Sequence, residues 1–130
     1  MYQITALYAG ILAIILVALS MRVIRHRITG QVSLGDGGGA LSPVIRAHGN
    51  FIEYVPMVLI LIGLLEARGT AGWLLHVLGI VLVVARILHP FGLMMKPPNP
   101  ARAIGASGTL LVLIVAGVLV LLSVLFNFKV

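Results

Sequence analysis

Four long apolar runs alternate with short polar stretches along the chain. The first covers residues 4–21 or so and ends in Arg22-Val23-Ile24-Arg25-His26-Arg27. The second runs over about 43–65, the third over 72–93 and the fourth over 100–126. An α-helix needs about 20 apolar residues to cross a bilayer, so each run is long enough for one span. The pattern predicts an all-α fold, an integral membrane four-helix bundle. It is read as a single four-span domain over 1–130, without room for a second, soluble domain.

Local signals place the helix ends. Ser42-Pro43 reads as an N-cap followed by proline at the first helical position, and Asn99-Pro100 repeats that start for the fourth helix. Glu66, Arg68 and Gly69 mark the end of the second helix, with the glycine as its stop. Pro56 falls inside that helix and predicts a kink. The segment Lys96-Pro97-Pro98-Asn99-Pro100 reads as a rigid turn. Thr29 to Ser42 holds five glycines and Asp36 but no Gly-Lys-Ser/Thr ending, so it reads as a connector rather than a phosphate loop.

The flanking charges suggest a topology. Only Tyr2 and Gln3 precede the first run, and the positive charges come after it, the reverse of a cleaved signal peptide. That order reads as a retained span with its N-terminus outside. The first and third loops share Arg22, Arg25, Arg27, Arg46, Lys96 and Arg102, against Arg68 and Lys129 on the other side. The lysine and arginine bias puts loops one and three in the cytoplasm. Tyr2, Trp73, Phe126 and Phe128 gather at the opposite end as an aromatic belt.

Composition agrees with the pattern. The chain is 61% hydrophobic and 9% charged, with a mean hydropathy of +1.19, whereas soluble domains carry roughly 25% charged residues. The net charge of +6 comes from basic residues at the ends of apolar runs, so it reads as membrane topology and not as nucleic-acid binding. Cysteine is absent, which excludes disulfides, cysteine metal ligands and a cysteine nucleophile. No histidine and carboxylate spacing suggests a metal site.

The chemistry lies at the start of the second helix. At about 100° per residue, Arg46, Asn50, Glu53 and Tyr54 share one sector. Ionisable residues in membrane helices cost about 2.5–3.5 kcal/mol at the bilayer centre and face a bundle interior or a watery cavity. The set suits a polar ligand with carboxylates, an amine and amides. It equally suits an ion-pair network that fixes packing. Arg86 and His89, three apart on the third helix, share a face. Arg86 is deep enough to need an anion, and Glu53 is the expected partner. Arg102 lies in the first turn of the fourth helix, where a guanidinium and a helix N-terminus together favour an anion such as a thiolate.

The motif Arg46-x-x-x-Asn50-x-x-Glu53-Tyr54-x-Pro56 resembles the second-helix signature of the MAPEG superfamily, membrane-associated proteins in eicosanoid and glutathione metabolism. The length, the four spans and the glycine-rich first loop resemble its bacterial members. The resemblance implies a homotrimer in the bacterial inner membrane, with glutathione as co-substrate bound between subunits near the cytosolic end. It implies that Arg46, His48, Asn50, Glu53 and Tyr54 hold the tripeptide, with Arg86 and His89 added from helix three. It also implies that Arg102 activates the thiol for conjugating or reducing a lipophilic electrophile drawn from the membrane lipids. Two tyrosines of glutathione-using members fall here on His89 and Leu93. The alternative is a non-catalytic lipid-binding or scaffold protein on the same fold. A small proton-coupled exporter fits less well, because no charged residue lies between Ile4 and Met21.

Overall fold

In the computed structural model, residues 2–96 and 98–127 are described; Pro97 of the third loop, Phe128 of the aromatic belt and Lys129 of the charge count lie outside them. The helices are α1 (Gln3–Gly30), α2 (Leu41–Ala67), α3 (Gly72–Met94) and α4 (Pro100–Leu125). Each is long and apolar enough to cross a membrane, and no strand occurs among the described residues.

α1 continues nine residues past the apolar run, so Arg22 to Arg27 are helical. At 1.5 Å per residue its 28 residues span about 42 Å, against a hydrocarbon core of about 30 Å. Nothing in the basic segment breaks a helix. It ends where Gln31 turns left-handed at φ 52° and Val32 N–H returns to the Arg27 carbonyl. α2 starts one residue before the expected Ser42 cap, behind Ala40, which supplies no side-chain cap. Pro43 still falls in the first turn, where its missing N–H has no helical partner to lose. The end of α2 is as read: Gly69 has φ 80° and its N–H bonds the Glu66 carbonyl. α4 begins at Pro100 with Asn99 as its cap, the Asn99 side chain accepting from Arg102 N–H at 2.9 Å.

α2 and α3 form the centre of the bundle. α1 packs on both from one side and α4 on both from the other; α1 and α4 do not touch. Leu12, Val58, Ile62, Leu65, Leu75, Leu82 and Ala116 fill the seams. Large apolar side chains such as Ile14, Val17, Ile60 and Leu121 point outward from all sides, as a hydrocarbon solvent requires. The α3–α4 seam is closest where glycine removes a side chain. A Cβ at Gly105 would lie 2.7 Å from the His89 backbone.

The end opposite loops one and three is tied by polar contacts. α1 has no side-chain cap of its own at Tyr2. Instead the Glu66 carboxylate accepts from Ile4 N–H at 2.9 Å, Thr5 N–H at 2.8 Å and the Thr5 hydroxyl at 2.6 Å. Tyr8 donates its hydroxyl to the His76 carbonyl at 3.1 Å, 2.9 Å from His76 Nδ1. Arg68 donates to the Ser123 carbonyl and holds the end of α4.

Candidate functional site

At the loop-one and loop-three end, α2, α3 and α4 enclose two neighbouring spaces. The outer one is an open groove of about 670 Å³, lined by Asp36, Ser42, Arg46, Glu53, Leu93 and Arg102, among others. α2 presents Arg46 and Glu53 to it two turns apart, and the first turn of α4 presents Arg102. All three side chains are exposed. None of the three makes a side-chain hydrogen bond or ion pair with another described residue. The groove therefore carries two guanidinium groups and two carboxylates; Asp36 accepts from Gly38 N–H at 3.2 Å within loop one, which leaves Arg46, Glu53 and Arg102 free to meet a ligand.

The inner space is a pocket of about 90 Å³ lined by Asn50, Tyr54, Arg86, His89 and Thr109. Arg86 is only 2% exposed and His89 5%. The expected ion pair between Glu53 and Arg86 does not form. Arg86 donates to the Gly105 carbonyl at 2.9 Å and to the Asn50 carbonyl at 3.4 Å, while Glu53 faces the outer groove. The close approach of α4 at Gly105 supplies the reason: it brings a main-chain acceptor to the guanidinium before any carboxylate can reach it. The same carbonyl accepts from the Thr109 hydroxyl at 2.9 Å. Arg86 Nε and His89 Nδ1 have no partner among the described residues, and Asn50 Nδ2 lies 3.5 Å from His89 Nε2.

Of the residues singled out in the sequence, the structure brings Arg46, Glu53 and Arg102 together in the groove. Asn50, Tyr54, Arg86 and His89 meet in the pocket. His48 lines neither. It lies between α1 and α2, with Nε2 3.1 Å from the Ser20 hydroxyl. Thr109 and Gly105 were not foreseen. Thr109 is one of three hydroxyls in α4, with Ser107 and Ser123, and nothing in the sequence sets it apart from them. Among the described residues no cluster of three histidines, carboxylates or cysteines is placed to hold a metal.

The MAPEG family profile matches residues 5–122. The chain belongs to the MAPEG family. It is also similar to the inner membrane protein YecN from two strains of Escherichia coli, 40% identical over 91 residues, covering 69% of this chain and 70% of YecN. This MAPEG chain is thus a four-span protein of the bacterial inner membrane.

Proposed function

We propose that this MAPEG protein binds glutathione in the outer groove and uses its thiol to conjugate or reduce lipophilic electrophiles that enter from the bilayer. The observation that carries this reading is the unpaired Arg46, Glu53 and Arg102 set around a groove of about 670 Å³. Glutathione has two carboxylates and one ammonium group, which complement the two free guanidinium groups and the free Glu53 carboxylate, while Asp36, the second carboxylate of the groove, accepts from Gly38 N–H. Arginine binds a carboxylate bidentately, and glutamate accepts from an ammonium. Asn50, Tyr54, Arg86 and His89 lie one layer deeper, ready for amide and carboxylate oxygens.

Arg102 stands in the first turn of α4, where the helix N-terminus adds partial positive charge. Both favour a thiolate over a thiol, and an arginine stays protonated while doing so. In conjugation the thiol proton leaves to water and the sulfur forms a bond to the electrophilic carbon. The leaving group departs with the bonding pair, or an addition product takes up a proton.

The same reading carries a homotrimer and cytoplasmic loops one and three. Glu53 and Arg46, exposed on one subunit at membrane depth, would gain cover from a neighbour. Native mass spectrometry from detergent is expected to show three subunits; a monomer at every working concentration would remove the inter-subunit site. One observation favours non-catalytic lipid binding instead: Leu93 lines the groove where a hydrogen-bond donor would serve the ligand. Calorimetry separates the two. Glutathione is expected to bind wild type, and Arg46→Ala is expected to weaken it roughly 10- to 150-fold, the equivalent of one charge-assisted interaction of about 1.5–3 kcal/mol. No binding to wild type would leave the non-catalytic reading.

A further inference from the structure

A third space lies on the other side of α3, between α1 and α3. It is a groove of about 290 Å³ whose walls include Ile14, Ala18, Ile87 and Phe91, with Arg22 at the loop-one end. From Ile14 to Arg22 is eight residues, about 12 Å along the helix. The groove thus starts at Arg22, the first residue past the apolar run, and descends to acyl-chain depth.

Arg22 is half-buried and poorly partnered. Its guanidinium meets the Met94 sulfur at 2.6 Å, and a thioether is a weak acceptor for a group with five donors. Arg25 follows three residues on, on the same side of the helix, and is exposed. The nearby His26 ring is bonded back to the Arg22 carbonyl. The described residues offer no carboxylate here. The three side-chain carboxylates are Asp36, Glu53 and Glu66. The first two line the groove on the far side of the bundle, and the third caps α1 at the opposite end. Arg86 also borders this space, but its terminal nitrogens are turned away onto the Asn50 and Gly105 carbonyls.

We propose that this groove holds one anionic phospholipid, with its phosphate on Arg22 and Arg25 and one acyl chain along Ile14, Ala18, Ile87 and Phe91. A guanidinium fork matches phosphate oxygens bidentately. Basic pockets between membrane helices hold anionic headgroups, and a zwitterionic lipid carries its own ammonium and satisfies the two arginines less well. The site is independent of whether glutathione binds in the outer groove.

The test uses the full chain reconstituted in vesicles of phosphatidylethanolamine and phosphatidylglycerol in equal parts, extracted in mild detergent and weighed by native mass spectrometry. One phosphatidylglycerol per subunit is expected on wild type, in preference to phosphatidylethanolamine. Arg22→Gln is expected to lower retention about tenfold or more, the loss of one charge-assisted contact, and Arg22→Lys to keep part of it. Ala18→Trp fills the apolar floor while leaving Arg22 in place, and is expected to expel the lipid. Lys96→Gln, an exposed charge at the same end, is expected to change nothing. Equal retention of both lipids on wild type would overturn the proposal, as would full retention by both Arg22→Gln and Ala18→Trp. A wild type that carries no lipid, and whose oligomer Ala18→Trp breaks, would assign the groove to a second copy of the chain. If Arg22→Gln does not fold, the comparison of the two lipids on wild type decides alone.

Discussion

Gly105→Ala is expected to open the α3–α4 seam, and Gly108→Ala, three residues on, provides the measure. The two substitutions share the same gain in helix propensity, about 1 kcal/mol, which cancels in the comparison. They differ in what the new methyl meets. At position 108 it would lie 3.2 Å from the Ala85 Cβ, a contact that a small shift relieves. At position 105 it would lie 2.7 Å from the His89 Cα, Cβ and N, which cannot move without moving α3. Overpacking of this kind costs about 1–3 kcal/mol. The displacement also stretches the 2.9 Å bond from Arg86 to the Gly105 carbonyl, a hydrogen bond to a charged group, valued at about 1.5–3 kcal/mol. The two costs share one movement and do not add fully, so the expected gap between the variants is about 2–4 kcal/mol. The assay is unfolding in mixed detergent followed by far-ultraviolet circular dichroism. If Gly105→Ala were as stable as Gly108→Ala, within about 0.5 kcal/mol, the seam would not be closed at His89 and the account of Arg86 would fail with it.

Glu66→Ala is expected to cost about 1–3 kcal/mol, the value of a lost helix cap accepting three donors. Amide exchange at Ile4 and Thr5 should accelerate, and unchanged exchange would show that the cap is idle. Glu53→Ala is expected to leave unfolding within about 0.5 kcal/mol of wild type, since Glu53 supports no buried charge. A loss of about 3–5 kcal/mol, typical of a broken buried pair, would restore the ion pair with Arg86. Because the chain has no cysteine, Ser33→Cys and Trp73→Cys can each be labelled alone in intact cells with an impermeant reagent. Labelling at position 73 with protection at 33 is expected; the reverse would invert the proposed orientation.

The four spans were legible because each buries its backbone polar groups within itself and needs only an apolar surface, which composition records directly. Helix ends were less legible. The apolar run of α1 marks where the membrane ends, but the helix follows its own hydrogen bonds through Arg22 to Arg27 and stops at Gly30. Asn99 was readable as a cap and its side chain does accept from Arg102 N–H, whereas the glycine-rich loop before Ser42 enters the helix two residues early and leaves Ser42 inside the first turn. The sector shared by Arg46, Asn50, Glu53 and Tyr54 was readable from periodicity, but its division into groove and pocket was not, because that depends on how closely α4 approaches. His48 lies about 200° around the helix from Arg46, and that rotation agrees with its contact to Ser20. Glu66 appeared only as an end marker. Its partners lie 62 and 61 residues away, a distance that no local pattern spans. The available sign was a carboxylate at a helix C-terminus, where the dipole disfavours it.

That carboxylate also bears on the order in which the membrane protein is made. The first helix to emerge during synthesis has bare amides at Ile4 and Thr5, and nothing in its own sequence takes them up. Their acceptor is at the far end of the second helix. It arrives on the same face of the bilayer only when that helix has crossed in the opposite direction. The smallest piece of this chain that can settle in the lipid with its first turn satisfied is therefore the hairpin of the first two helices, closed at one end by the glycine-rich loop and at the other by Glu66. A nascent chain halted in that loop would be left with an open end, whereas one released after Arg68 would already hold its first helix in register for the third and fourth to dock against.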